Sequence, residues 1–156
     1  MLAVEIPGFG ALRLEHLVLD YNGTLALDGE PLPGVRDALC ALASSLTIHV
    51  LTADTFGKAG SRLQGLPCRR SVLDAANQDA AKQAYVEALG PATVVCIGNG
   101  RNDRLMLEAA ALGIAVVQEE GAAVEALTSA DVVAPSIAAA LALLTNPLRL
   151  VATLRS

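Results

Sequence analysis

Four stretches of this chain end in polar side chains that could do chemistry. The first is Asp20-Tyr21-Asn22-Gly23-Thr24-Leu25, directly after the apolar run Leu17 to Leu19. A carboxylate leaving the carboxyl end of a strand can attack phosphorus or hold a cation, and Gly23 frees backbone amides to approach an anion. The same hexapeptide also suits an Asx-type turn, which needs only Asp or Asn plus Gly. The second is Val50-Leu51-Thr52-Ala53-Asp54. A hydroxyl just before a helix N-terminus can donate to a phosphoryl oxygen, with the helix amides adding to the same field. Thr52, Asp54 or Thr55 could equally be an N-cap. Third, the chain has two lysines, Lys58 and Lys82. Lys82 precedes Asn99 by seventeen residues, where its ammonium could offset phosphoryl charge; Lys58 is the fallback, and either could be a solvated surface residue. The fourth stretch is Gly98-Asn99-Gly100-Arg101-Asn102-Asp103. Two glycines let this loop fold against a ligand and bring Asp103 near Asp20 as a second carboxylate. A glycine turn with Asn102 or Asp103 capping a helix explains one polar residue, not the whole string.

The elements that must position these residues have a clear rhythm. Leu17 to Leu19, Ile48 to Leu51, Cys68 to Leu73, Val94 to Ile97, Ile114 to Val117 and Val132 to Ala134 are brief apolar runs, expected as strands covered on both faces. Gly34 to Leu46, Thr55 to Leu63, Ala75 to Leu89, Asp103 to Ala111, Ala122 to Ser129 and Ile137 to Leu144 suit helices. Lys82 is expected to open the helix before the fourth strand. Alternating strands and helices predict an α/β fold, a three-layer αβα sandwich around a Rossmann-like parallel sheet with right-handed crossovers. Sites in such folds gather outside the carboxyl ends of the strands. Residues 1 to 15 alternate apolar and polar around Pro7-Gly8-Phe9-Gly10, an added β-hairpin. The expected organisation is one domain: hairpin 1–15, core 17–134 and a helical segment 135–156.

Composition narrows the partners. Apolar residues are 53% and charged residues 17% of 156, so the chain can build a core, and global disorder is excluded. A net charge of −5, with Arg69 and Arg70 the only adjacent cations, argues against nucleic acid. The longest uncharged stretch, Val132 to Leu148, is broken by Pro135, Asn146 and Pro147, and Glu5, Pro7 and Gly8 stand where a signal peptide would be apolar. The expectation is a cytoplasmic protein without membrane contact. Cys40, Cys68 and Cys96 lack a C-x-x-C pattern and are expected as small buried hydrophobes, and His16 and His49 as structural residues.

Together D-x-x-G-T-L after the first strand, Thr52 after the second, Lys82 before the fourth, and G-x-G-x-N-D followed by an apolar helix and Leu-Gly-Ile-Ala-Val resemble the haloacid dehalogenase (HAD) superfamily. Gly98 to Val116 looks most like the phosphorylation domain of P-type ATPases and their small soluble relatives. The resemblance covers Leu17 to about Ala134. It implies Mg²⁺-dependent phosphoryl transfer through an aspartyl phosphate. Asp20 is then the nucleophile, Thr52 a phosphate hydroxyl, Lys82 the charge-offsetting cation and Asp103 a metal or metal-water ligand. The backbone carbonyl of Asn22 completes the metal shell, and Gly23, Thr24 and Ala53 line the phosphate. Asp20, Asp103 and waters suit a hard cation, and no His or Cys cluster competes for a softer one.

Two family carboxylates are amides here. Asn22 replaces the general acid and cannot exchange a proton, a loss typically worth about 10² to 10⁴ in rate. Turnover is expected to be slow, with leaving groups that need no protonation favoured and the aspartyl phosphate long-lived. Asn99 replaces a metal carboxylate, which predicts weak metal affinity; alternatively Arg101 beside it grips an anion directly. The 31 residues between Asp20 and Thr52, and the 29 between Thr52 and Lys82, leave no room for a cap domain. The open cleft suits a phosphorylated macromolecule, or a small phosphorylated molecule enclosed by a second copy of the chain. The alternative functions are a catalytically impaired phosphate-binding or phospho-accepting regulatory module and an interaction protein that merely retains the fold.

Overall fold

The computed structural model describes residues 1–53 and 58–156, without the side chain of Lys58. The six apolar runs form one parallel sheet: β3 (His16–Asp20), β6 (Thr47–Thr52), β7 (Cys68–Val72), β8 (Val94–Gly98), β9 (Leu112–Val116) and β10 (Val132–Ala134), in the order β10-β9-β8-β3-β6-β7. The crossovers carry α1 (Val35–Leu42), α2 (Lys58–Arg62), α3 (Gln78–Leu89), α4 (Arg104–Ala109) and α5 (Val124–Ser129). The chain ends in α6 (Ile137–Thr145) and α7 (Pro147–Leu154).

Strand side chains alternate between the two faces, so the sheet divides the core in two. Leu17, Leu19, Ile48, Val50, Val95 and Ile97 pack with Leu39 and Leu42 of α1, Leu141 and Leu144 of α6 and Leu150 of α7. Val18, Leu51, Val94 and Cys96 pack with Val86 of α3, Met106 and Leu107 of α4 and Ala126 of α5. The expected three-layer sandwich is therefore present. The N-terminal hairpin is β1 (Leu2–Ile6) paired antiparallel with β2 (Gly10–Leu14), and it buries Ile6, Leu12 and Leu14 in the first of these cores. Among the described residues no cap domain interrupts the crossovers; a two-residue-strand hairpin, β4 (Ala26–Leu27) with β5 (Glu30–Pro31), is the whole insertion between β3 and α1.

Three local expectations change. β7 is an edge strand, not a covered one, so Arg69 and Arg70 point to solvent. α3 begins at Gln78 rather than Ala75, which puts Lys82 in its second turn. Only Cys96 is a buried cysteine; Cys68 is half-buried and Cys40 exposed. The predicted helix from Thr55 falls partly on residues 54–57, outside the described residues, and α2 begins at Lys58. No described helix is long and apolar enough to cross a membrane, and α6 and α7 meet at 103°.

Candidate active site

Strand order explains why residues far apart in sequence meet. β3 lies between β6 and β8, and its last residue, Asp20, is level with Leu51, one residue before Thr52. Leu19 is level with Ile97, so the loop after Gly98 starts beside Asp20. Neighbouring strands run about 4.8 Å apart, which brings the three strand ends within contact.

Lys82 joins them from α3, where it shares the buried face with Val86. Its Nζ donates to Asp20 Oδ1 at 2.7 Å and to Asp103 Oδ1 at 2.6 Å. Asp103 Oδ2 accepts from the backbone amides of Asn99 at 3.0 Å and Gly100 at 2.8 Å, which folds the glycine loop around it. Gly98 is required for this, because a Cβ there would lie 2.6 Å from Asp103 Cγ. Of the three side chains, Lys82 and Asp103 are 1% and 0% exposed and Asp20 is 11%, so Asp20 is the one an incoming group can reach. Asp103, expected as a metal or metal-water ligand, turns Oδ1 to the lysine and Oδ2 to the loop amides.

Asp20, which shares the buried ammonium with a second carboxylate, does not titrate normally. Burial, and then the charge of Asp103, push Asp20 up to about 7 against the pull of Lys82. Burial draws Lys82 down, but the two carboxylates outweigh it and raise it overall.

Oxygen atoms continue from Asp20 across the loop. Thr24 Oγ1 is 3.2 Å from both Asp20 Oδ2 and Asn99 Oδ1 and can donate to either. Gly23, at φ 79°, turns the chain here, and a Cβ on it would collide with the Asn99 side chain and with Glu120. The Thr52 hydroxyl is buried and, among the described residues, has no hydrogen-bond partner. That is an open donor at the strand ends, the kind of group a phosphoryl oxygen satisfies. Ala53, half-buried, follows it, and Asn22 is exposed. Arg101 is turned away to the surface, where its Nε meets Glu125 at 3.1 Å. Lys58, the fallback cation, has its side chain outside the described residues.

Sequence reasoning missed Gln118 and Glu120. Gln118 Nε2 donates to the carbonyls of Gly23 and Thr24, both at 3.0 Å, while its Oε1 accepts from the Ile137 amide at 2.7 Å. For Gln118 the signal was available, since it directly follows Val117 at a strand end, where such folds gather their sites. Among the described residues no three His, Cys, Asp or Glu side chains form a metal cage. The Asp20 carboxylate and the Asn99 amide oxygen, linked through the Thr24 hydroxyl, are hard oxygens whose chemistry fits Mg²⁺ completed by water.

Two clefts frame this geometry. An open one of about 550 Å³ is lined by Asn77, Gln78, Arg101, Asn102 and Arg104, from the same helix and loop that supply Lys82 and Asp103. A larger one, about 770 Å³, borders Glu15, Thr47, Cys68 and Arg69 at the opposite ends of the strands and holds none of these groups.

No family model matches the chain. It is 48% identical over 62 residues to the uncharacterized protein MJ0073 of Methanocaldococcus jannaschii, a match spanning 40% of this chain and 67% of that protein. It is 44% identical over 39 residues to MJ0072 of the same organism, spanning 25% of this chain and 89% of that protein. Among solved structures, a Vibrio cholerae protein assigned as a 3-deoxy-D-manno-octulosonate 8-phosphate phosphatase superposes with TM-score 0.68 at 16% identity, covering 100% of this chain and 99% of that one. A Legionella pneumophila protein assigned to the HAD superfamily, subfamily III A, gives 0.68 at 18%, covering 90% and 86%. The Moraxella catarrhalis 3-deoxy-D-manno-octulosonate 8-phosphate phosphatase, solved with magnesium, phosphate and sugar, gives 0.63 at 16%, covering 90% and 92%. These likenesses establish the fold.

Proposed function

Because the chain belongs to the family of the two uncharacterized M. jannaschii proteins and has the fold of the HAD hydrolases, we propose that it is a slow Mg²⁺-dependent phosphohydrolase or phosphotransferase working through an aspartyl phosphate on Asp20. The observation that carries this reading is the reachable Asp20 carboxylate, pinned by Lys82 beside the unpartnered Thr52 hydroxyl. The magnesium and phosphate in the Moraxella enzyme agree with it.

In this reading an Asp20 oxygen attacks phosphorus as the bond to the leaving oxygen breaks, and the leaving group departs with its electron pair. Water then attacks the phosphorus, which releases inorganic phosphate and restores the carboxylate. Lys82 orients Asp20, offsets negative charge and is anchored by Asp103. The Gly23 and Thr24 amides close the turn on the carbonyls of Ala26 and Tyr21, so the donors to phosphoryl oxygens are the Thr52 hydroxyl and the backbone amide of Ala53; such fixed donors stabilise the charge of the transition state without reorganising. Asp20, Asn99 Oδ1 and the Asn22 carbonyl would hold Mg²⁺, which supplies charge neutralisation at the phosphoryl group. Asp103 anchors Lys82 through Oδ1, whose second lone pair stays available to the metal or its water, and holds the glycine loop through Oδ2. Asn22 offers no proton, so acyl phosphates and nitrophenyl phosphate are the preferred substrates in vitro. The polar cleft of Asn77, Gln78 and Arg104 favours a small phosphorylated molecule over an apolar one.

The second reading, a phospho-accepting regulatory module, draws on Asn22, the amide where water would be activated. Turnover of acetyl phosphate and nitrophenyl phosphate with Mg²⁺ separates the two. The enzyme reading predicts slow turnover that Asp20→Asn abolishes and that Asn22→Asp raises, by up to about 10² to 10⁴ for esters whose leaving group needs a proton. A stable adduct without turnover favours the module, and activity surviving in Asp20→Asn overturns both.

A further inference from the structure

The loop after β9 reaches back over the site and brings a carboxylate that the resemblance does not assign. Glu120 Oε2 lies 2.6 Å from the point a Cβ on Gly23 would occupy, and Asn99 presents both Nδ2, at 2.6 Å, and Oδ1, at 2.9 Å, to that same point. The Glu120 carboxylate and the Asn99 amide oxygen thus border one small space above Gly23. Thr24 links that space to Asp20, since its hydroxyl sits between Asn99 Oδ1 and Asp20 Oδ2.

Glu120 is exposed, and the loop that carries it is held there by its surroundings. Gln118 ties the start of the loop to the Gly23 and Thr24 carbonyls. Gly121 N closes the turn on the Gln118 carbonyl at 2.8 Å, and Asn99 Nδ2 donates to the Gly121 carbonyl at 3.1 Å. Ala123 N donates to the Asn99 carbonyl at 2.9 Å, and the amide of Asp28 reaches Glu120 Oε1 at 3.5 Å. Residue 99 itself therefore anchors the loop that carries the carboxylate. An aspartate at 99 would set two anions on one small space and give up the Nδ2 bond to Gly121.

We propose that Glu120 is the second carboxylate of the cation site, supplying from the β9 loop the negative charge that Asn99 does not carry. It acts on the metal's water shell or directly beside Asn99 Oδ1. This rests on the phosphoryl-transfer reading above, and it makes the exchange of a carboxylate for Asn99 a relocation of charge rather than a loss.

Binding of Mn²⁺, measured by electron paramagnetic resonance and calorimetry, tests it without relying on turnover. Outer-shell partners typically contribute about 10- to 100-fold in metal affinity. Glu120→Gln should weaken Mn²⁺ binding by at least about tenfold while keeping the oxygen that accepts from Asp28, so its melting temperature without metal should match the parent. Glu119→Gln, the same charge change one residue away, should leave binding unchanged. Asn99→Asp placed in the Glu120→Gln background should recover affinity. Equal losses in Glu119→Gln and Glu120→Gln would reduce the effect to bulk charge and overturn the assignment. So would Mn²⁺ binding unaffected by Glu120→Gln but lost in Asp20→Asn, which leaves the phosphoryl-transfer reading standing. Absence of Mn²⁺ binding in the parent protein overturns both.

Discussion

A buried hydroxyl without a partner costs a fold about 1 to 3 kcal/mol, so Thr52 lowers stability unless something satisfies it. Valine has nearly the same shape and no such need. Thr52→Val is therefore expected to raise the free energy of unfolding by on the order of 1 kcal/mol. The same substitution should cut turnover by about 10²- to 10³-fold, as removal of a preorganised transition-state donor does elsewhere. Urea unfolding and acetyl phosphate turnover on one preparation check both signs. A destabilised or fully active variant would mean that the hydroxyl serves the fold and not a phosphoryl group. Opposed effects on stability and rate mark a residue kept for chemistry.

At the scale of elements, α3 has to be placed accurately because it carries Lys82. A polar chain fixes it to the sheet. Ser71 Oγ on β7 donates to Tyr85 Oη at 3.3 Å, Tyr85 on α3 meets His49 Nδ1 on β6 at 2.9 Å, and His49 Nε2 meets His16 Nδ1 on β3 at 3.1 Å. With Ser71 donating to Tyr85, the tyrosine donates to His49 and neutral His49 donates to His16. Burial, helped by His16 and Arg69, lowers His49 to about 4, so the folded protein keeps it neutral where the unfolded chain takes up a proton. Its contribution is present above pH about 6.5 and is lost as pH falls through about 4. At about 1.4 kcal/mol per unit the full effect is on the order of 3 kcal/mol. Asp20 acts in the opposite sense, because its raised value favours the folded state as pH falls from about 7 toward 3.8. The difference between two proteins isolates the histidine. Relative to the parent, His49→Gln should gain stability by roughly that amount between pH 6.5 and 4. Parallel stability curves for the two proteins would show that His49 is not held neutral.

The elements differed in how readable they were. β3, β6, β8 and β9 are apolar on both faces and bounded by glycine or polar turns, so period and punctuation agree, and the strands lie within two residues of expectation. β7 was harder because an edge strand buries little, and Cys-Arg-Arg-Ser-Val has no strand pattern of its own until β6 pairs with it. Asp20, Thr52 and Asp103 could be named from sequence because each closes or follows a recognisable strand, and Lys82 because it is one of two lysines and falls in the helix before β8. Their division of labour could not. That Asp103 faces Lys82 and two loop amides, and that Arg101 leaves the site for Glu125, depends on how the five residues 99–103 coil after β8. Glu120 was illegible for another reason: only the turn at Gly121 and the Asn99 bond carry it back over Gly23.

The molecule as a whole is a two-sided core built to hold a few polar groups at the mouth of three adjacent strands, with no cap domain over them. Everything proposed for it requires Asp20 to accept a phosphoryl group. Incubation with Mg²⁺ and acetyl phosphate, followed by acid quench and mass spectrometry of the intact chain and its peptides, measures that directly. The account predicts the added mass of one phosphoryl group, removed by hydroxylamine as an acyl phosphate should be, located on the peptide containing Asp20 and absent from Asp20→Asn. No adduct on the parent protein or on Lys82→Arg, together with no turnover, or an adduct that persists in Asp20→Asn, would contradict it.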